Sequence, residues 1–386
     1  MGKRGQNEGS IYKREDGRWA GAVTLGWKNG KLQRKTFYGQ TRKEVQEKVT
    51  TVLRDIQQGL PVSIEKQTVG QFLEDWLENT VKKSVRPRTY QGYEQVVRLH
   101  LKPQIGNVSL TKLSPQQVQA CLNALEAGGL GARTVAYTRT VLRTALSRAV
   151  KWGLIVRNVA ALVDPPRYKP KEIQVLSLAE IKIFLKAISG NRLEALYLTA
   201  LMLGLREGEV LGLRWEDIDF NARTLTVKFA MQRINKKLQL VEPKTEKSRR
   251  TLPLPDLLAA TLKTHRKYQL ADKLLAGKQW NETNLLFTTN TGNPFDGSTI
   301  VRRLQKLLVD IGLPKYRFHD LRHSCASLLL SQGLPARTIM EILGHSQINL
   351  TLNTYSHVFP EMTRAAADVM DNLLSSKLPN EKTSKQ

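Results

Sequence analysis

The sequence predicts a multidomain, mainly α-helical protein with small β elements. An N-terminal three-stranded β-sheet with one helix leads into a helical domain and then a larger mixed α/β domain. Three observations carry this prediction. Apolar and aromatic residues alternate with polar ones through residues 18–27, the period of a half-buried strand. From Thr68 the apolar residues recur at three- and four-residue spacing, the period of an amphipathic helix. Residues 163–170 hold three prolines in eight positions, a stiff linker and the clearest boundary in the chain. At 386 residues the chain is long enough for two or three separate cores.

Taken in order, residues 8–40 read as strands, with Lys28-Asn29-Gly30-Lys31 as a hairpin turn. A helix follows from about residue 41, with Val45, Val49, Val52 and Ile56 on its core side, and Gly59-Leu60-Pro61 opens a linker. In the helical domain, Val69, Phe72, Leu73, Trp76 and Leu77 mark one apolar face. Tyr93, Val96, Val97, His100 and Leu101 mark a second, which makes His100 a packed histidine. Ser114-Pro115-Gln116-Gln117 opens a third helix with an N-cap, Pro at N1 and Gln at N3. A fourth runs over residues 132–152, setting Arg133, Arg139, Arg143, Arg148 and Lys151 against Val135, Val141, Leu142, Ala145 and Ala149.

Past the linker, Ser177-Leu178-Ala179-Glu180 is a capping box for a helix that turns Ile181, Phe184, Leu185 and Ile188 inward. Residues 223–254 read as three strands, the first running unbroken over 223–234. A helix, a loop at 277–284, a helix over 297–311 and a last helix over 362–374 follow, and residues 379–386 read as a disordered tail.

Sixty Lys and Arg against 34 Asp and Glu leave the chain at +26. The excess is spread along it: residues 1–60 carry 13 basic against 6 acidic side chains, and 61–170 carry 16 against 7. A cation distributed over every segment fits a long polyanion, DNA, better than a lipid patch. Cys121 and Cys325 belong to no zinc or redox spacing and read as reduced, packed thiols. The first ten residues lack the apolar stretch of a signal peptide, and the longest apolar-rich run, 195–205, is too short to span a bilayer. The expectation is a soluble protein of the cytoplasm.

The chemistry concentrates in residues 318–359. His319 and Arg322, three apart, share one helical face; Leu343-Gly344-His345 follows, and Tyr355 lies ten residues beyond His345. Arginine forks onto two phosphate oxygens, imidazole donates a hydrogen bond or moves a proton near neutral pH, and a tyrosine hydroxyl is a covalent nucleophile once deprotonated. Upstream, Arg206 stands in the apolar run LMLGLREGEVLGL with Glu209 on its own helical face. Such a charge is either paired merely to tie down the helix or used in chemistry. Asp217 and Asp219 hint at a metal-dependent nuclease, but no third acid accompanies them.

In this order the His-x-x-Arg, Leu-Gly-His and Tyr elements resemble the C-terminal signature of the tyrosine recombinase (phage integrase) family, and the resemblance extends over nearly the whole chain. It implies an arm-type DNA-binding domain over residues 1–60, a core-binding domain of SAM-like type over 66–163 and a catalytic domain over 171–378. It makes Arg206 the first catalytic arginine with Glu209 in support. It makes Lys244, in its Pro-Lys-Thr turn, the catalytic lysine, with Lys247 in reserve. His319, Arg322, His345 and the nucleophile Tyr355 complete the set.

The implied reaction is strand exchange through a 3′-phosphotyrosyl intermediate and a Holliday junction, within a homotetramer on double-stranded DNA. No cofactor is implied: the tyrosyl bond keeps the phosphoester energy, there is no Gly-rich GKS/T loop, and two arginines supply the charge a metal would bring. Implied DNA contacts are Arg18, Lys28, Lys31 and Lys35 in the first domain, with Arg86, Arg88, Arg133, Arg139 and Arg143 in the second. An excision factor or DNA-bending protein is the implied accessory partner. A regulator without chemistry would need a broken catalytic set, and a type IB topoisomerase would not need a separate N-terminal β-module. Xer-like recombinases are expected to match only from about residue 68.

Overall fold

The computed structural model describes residues 9–28, 31–57, 67–168, 173–242 and 249–344. The chain divides into two compact units, residues 1–170 and 171–386.

In the first unit, β1 (Ser10–Lys13), β2 (Trp19–Lys28) and β3 (Lys31–Gly39) form an antiparallel sheet in that order. Lys28 pairs with Lys31, as a two-residue hairpin connection requires. Helix α1 (Arg42–Gln57) lays Val45, Val49 and Val52 on the sheet beside Val23, with Ile56 at the margin. Gly21 permits the close approach: a Cβ there would stand 2.6 Å from Val45 Cγ1.

The helical part of this unit has its own core. One helix combines α2 (Val69–Trp76), a wider π-type turn (Leu77–Val81) and α3 (Lys82–Ser84). The next combines α4 (Pro87–Val96), a second π-type turn (Val97–Leu101) and α5 (Lys102–Ile105). Then come α6 (Pro115–Ala127) and α7 (Ala132–Lys151). The capping box at Ser114 and Gln117 opens α6 as its sequence requires, and Thr68 with Gln71 opens α2 in the same way. Phe72, Leu73, Leu101, Leu122, Leu142 and Leu146 are fully buried at the centre. His100, expected to be packed, is only half-buried.

The second unit opens with α8 (Leu178–Ile188), whose Ser177–Glu180 capping box is present. Helices α9 (Glu194–Leu203) and α10 (Glu207–Leu211) follow. Strands β4 (Ile218–Asp219), β5 (Thr224–Val227), β6 (Ala230–Ile234), β7 (Lys237–Val241) and β8 (Arg250–Pro253) make two small antiparallel sheets, β4-β5-β8 and β6-β7. The strand expected over 223–234 is therefore two strands. Between them Lys228 turns to the buried Asp217, 3.1 Å away, and β6 passes over Gly212, where a Cβ would meet Ala230 Cα at 2.9 Å.

Helices α11 (Asp256–Ala276), α12 (Gly297–Asp310), α13 (Phe318–Ser331) and α14 (Ala336–Leu343) complete the described chain. Helix α9 is buried on nearly every side, which explains its all-round apolar sequence. Among the described residues no helix is long and apolar enough to cross a membrane. The expected helix over 362–374 and the tail lie outside the described residues.

Candidate active site and its family

The site is built on two helix ends that meet. Helix α9 stops at Gly204, in the left-handed region (φ 59°), and α14 stops at Gly344 in the same conformation (φ 67°). Neither position has room for a side chain. A Cβ on Gly204 would stand 2.5 Å from Leu343 Cδ2, and one on Gly344 would stand 2.8 Å from Arg250 Nη1. Each glycine carbonyl accepts from an arginine outside its own helix. Arg322 Nη1 on α13 donates to Gly204 O at 2.7 Å, and Arg206 Nη2 donates to Gly344 O at 3.2 Å.

Arg206 does not share a helical face with Glu209, as its sequence suggests. It is the N-cap of α10, in extended backbone conformation, with Glu209 at the third helical position. The Glu209 carboxylate accepts the Arg206 backbone N–H at 3.0 Å and Arg206 Nη1 at 2.7 Å. The same device opens α13, where Asp320 accepts the backbone and side chain of Arg317. Arg206 keeps 40% of its side chain exposed, whereas Arg322 keeps 1%. In this structure the Arg206 guanidinium is partly open to solvent and Arg322 is buried, anchored on the Gly204 carbonyl.

His319 sits at the exposed start of α13, one turn before a residue the sequence reading passed over, His323. The two rings meet edge to face with centroids 4.7 Å apart. Lost hydration, and then the positive charges of Arg322 and Arg206, hold His319 below the ordinary imidazole range. His323 is pushed down to about 4 by burial and by its neighbour. Both rings are therefore neutral near pH 7, the form in which an imidazole has one acceptor and one donor nitrogen.

Arg250 is the other residue the sequence reading missed. Only 7% exposed, it donates from Nη2 to Glu209 Oε2 at 3.0 Å and from Nε to Ile342 O at 2.7 Å. A signal was present: Arg250 shares the inward face of its strand with the buried Leu252 and Leu254. For Glu209, burial pushes the carboxyl up, but Arg250 and Arg206 together outweigh it and hold it below the usual range.

Lys244, Lys247, His345 and Tyr355 lie outside the described residues. Asp217 is buried between Arg214 and Lys228, and among the described residues no three His, Cys, Asp or Glu side chains gather as metal ligands. Both cysteines are buried free thiols; burial pushes Cys121 up to about 11 and Cys325 up to about 12.

Of the basic residues of the first unit, Arg18 is exposed and paired with Asp16, Lys35 lies over the Phe37 ring, and Lys28 and Lys31 face each other in register. Arg86 and Arg88 are exposed at the start of α4. On α7, Arg133 and Arg143 are exposed, but Arg139 is half-buried and donates to the Val163 and Ala161 carbonyls. An open groove beside α7 is floored by Trp76 and Tyr93 and edged by Arg143, Ser147, Arg148 and Lys151.

The sequence pattern of the phage integrase family matches residues 174–362, and that of its N-terminal SAM-like domain matches 68–125. A protein named tyrosine recombinase XerC-like, from Caldanaerobacter subterraneus subsp. tengcongensis, is 36% identical, covering 91% of this chain and 95% of the relative. That share cannot be reached without part of the first 60 residues, so the expected contrast with Xer-like proteins fails for this relative despite its name. The fold is that of the Tn1549 transposon integrase in complex with transposon right-end DNA, with TM-score 0.66, 22% identity and 78% and 99% of the two chains covered. It is also that of the lambda integrase tetramer bound to a Holliday junction, with TM-score 0.55, 16% identity and 87% and 95% covered. With its family pattern, its relative and its fold in agreement, this chain is a member of the phage integrase family, a tyrosine-type site-specific DNA recombinase.

Proposed function

We propose that this recombinase integrates and excises a mobile element, with Arg206, Lys244, His319, Arg322, His345 and Tyr355 as its catalytic residues. The observation that carries the reading is the meeting of Arg206, Glu209 and Arg322 at the Gly204 turn, with His319 one helical turn before Arg322 on α13. Tyr355 attacks a backbone phosphate, forms a 3′-phosphotyrosyl link and frees a 5′-hydroxyl, which later attacks the link of a partner strand. Arg206 and Arg322 stabilise the charge that builds on the non-bridging oxygens, and His345 adds a hydrogen bond there. Lys244 protonates the departing 5′-oxygen. His319, held neutral by its surroundings, takes the phenol proton.

The work divides among three parts of the chain: residues 1–60 read arm sites, 66–163 grip the core site and 171–378 carry the chemistry. The groove beside α7 supports the second assignment, since it combines aromatic floor, hydroxyls and cations of the kind that hold a nucleic-acid backbone. Recombination runs in a homotetramer on double-stranded DNA in the bacterial cytoplasm, with an excision factor or DNA-bending protein setting direction. The nucleophile is tested with a nicked suicide duplex carrying the crossover. Tyr355→Phe should bind it and form no covalent adduct. An adduct that persists, or that maps by peptide sequencing to another residue, sinks the assignment.

A further inference from the structure

We infer that Arg250 is a positioning residue for cleavage, bracing Arg206 and the Leu343-Gly344 turn as one unit. The inference rests on the recombinase reading above and adds a residue to it. Arg250 opens β8 and is separated from Glu209 by 41 residues and from Ile342 by 92, yet it bonds both. Through Glu209 it reaches Arg206: Oε2 accepts from Arg250 Nη2 and from the Arg206 backbone, and Oε1 accepts from Arg206 Nη1. Through Ile342 O it fixes the last turn of α14, whose Gly344 carbonyl is held in turn by Arg206. The result is a closed ring: Arg206 to Glu209, Glu209 to Arg250, Arg250 to the end of α14, and α14 back to Arg206. Gly344 shuts the ring, because any side chain there would strike the Arg250 guanidinium.

Energetics favour a positional role over a purely stabilising one. Glu209 and Arg250 are both more than nine-tenths buried. Taking two charges out of water is costly, and a well-packed apolar pair of the same volume is often as stable. What an apolar pair cannot do is hold a second guanidinium, Arg206, at a set angle with 40% of its side chain open to solvent. A planar fork holds its donors at fixed angles on three separate nitrogens, so Nη2 can meet the carboxylate while Nε meets the Ile342 carbonyl; an ammonium has its three donors on one atom and cannot reproduce that spacing. Displacing a phosphate-binding group by about 1 Å can slow a reaction ~10²-fold.

The test uses the full-length chain on the nicked suicide duplex under single-turnover conditions. Wild-type chain must form an adduct that Tyr355→Phe does not; if it forms none, the functional reading falls and this inference with it. Given that adduct, Arg250→Ala should cleave about 10²-fold more slowly with unchanged affinity for core DNA. Arg250→Lys, which keeps the charge but not the fork, should fall between. Glu209→Gln should also be slow, and Glu209→Gln combined with Arg250→Ala should be about as slow as the worse single change, because both break one ring.

Three outcomes overturn the proposal. Penalties that multiply deny the coupling. Core-DNA affinity that falls in step with the rate makes Arg250 a DNA contact. A lowered adduct amplitude with an unchanged rate constant makes it a folding residue only. Should Arg250→Ala fail to fold, the same cycle run with Arg250→Lys decides by the same criteria.

Discussion

Arg322 donates to the carbonyl of Gly204 at 2.7 Å, joining two helix ends that lie 118 residues apart in the chain. The bond fixes the turn from which Arg206 projects, and Leu343 packs where a side chain on Gly204 would be. Gly204→Ala should therefore cost twice: about 1–2 kcal/mol for the left-handed backbone and ~1–3 kcal/mol for overpacking. Gly190 gives the control. It has φ +74° but nothing near its missing Cβ, so Gly190→Ala should pay only the first part. Denaturant unfolding of both variants measures the difference, and equal losses would show that the Leu343 contact is not felt.

Acid should weaken the fold through two histidines. Burial pushes His265, which bonds Leu286 O at 2.8 Å, down to about 4, and His323 is also about 4. Both lie below the unfolded value of roughly 6.5. Between those values the unfolded chain binds more protons, so their contribution is whole above about pH 6.5 and is lost as pH falls towards 4. For the buried His265 the loss at pH 5 is on the order of 1–2 kcal/mol. Melting curves from pH 7 to 5 should slope less steeply for His265→Asn than for the wild-type chain. Parallel slopes would place the neutral imidazole elsewhere.

Lys244 is assigned the leaving-group proton. Lys244→Ala should slow cleavage of ordinary DNA by the ~10²–10⁴-fold typical of a lost general acid. A bridging 5′-thiolate leaves without a proton, so that substrate should be cleaved nearly normally by the variant. Rescue confined to Lys247→Ala would move the role to Lys247.

How much of this was legible beforehand depends on how local each cause is. The capping boxes at Ser114 and Ser177, the apolar face from Val69 to Leu77 and the hairpin register at Lys28 and Lys31 follow from residues within a few positions of one another. They can be read directly. Arg206 was visible as a charge in an apolar run, but its place at an N-cap was not, because the helix breaks at a left-handed Gly204 that looks like any other glycine in sequence. Arg250 was hidden because reading Ser-Arg-Arg as the start of a strand says nothing of what the second arginine meets. Its partners lie 41 and 92 residues away, beyond any periodicity. Arg139 shows the converse. It counts towards the basic face of α7, yet it donates to main-chain carbonyls at residues 161 and 163.

The first 60 residues give the last prediction. They carry 13 basic against 6 acidic side chains, and their sheet of three antiparallel strands, backed by α1, encloses its own small core. Valines at 23, 45, 49 and 52 form that core within residues 10–57, apart from the cluster that fills the helical domain. A module of this kind can lay its sheet along a groove and bind a second DNA segment while the rest of the chain holds the crossover. Removing residues 1–60 should leave covalent cleavage of a core site intact, since the proposed catalytic residues all lie beyond 200. It should abolish recombination between full attachment sites, which needs both segments bridged. Arm binding should also weaken steeply with salt, as phosphate contacts release counterions. Footprinting of the full-length and truncated chains on DNA flanking the crossover measures this directly. If both protect the same bases, and the truncated chain recombines as well as the whole, the β-module does not read arm sites.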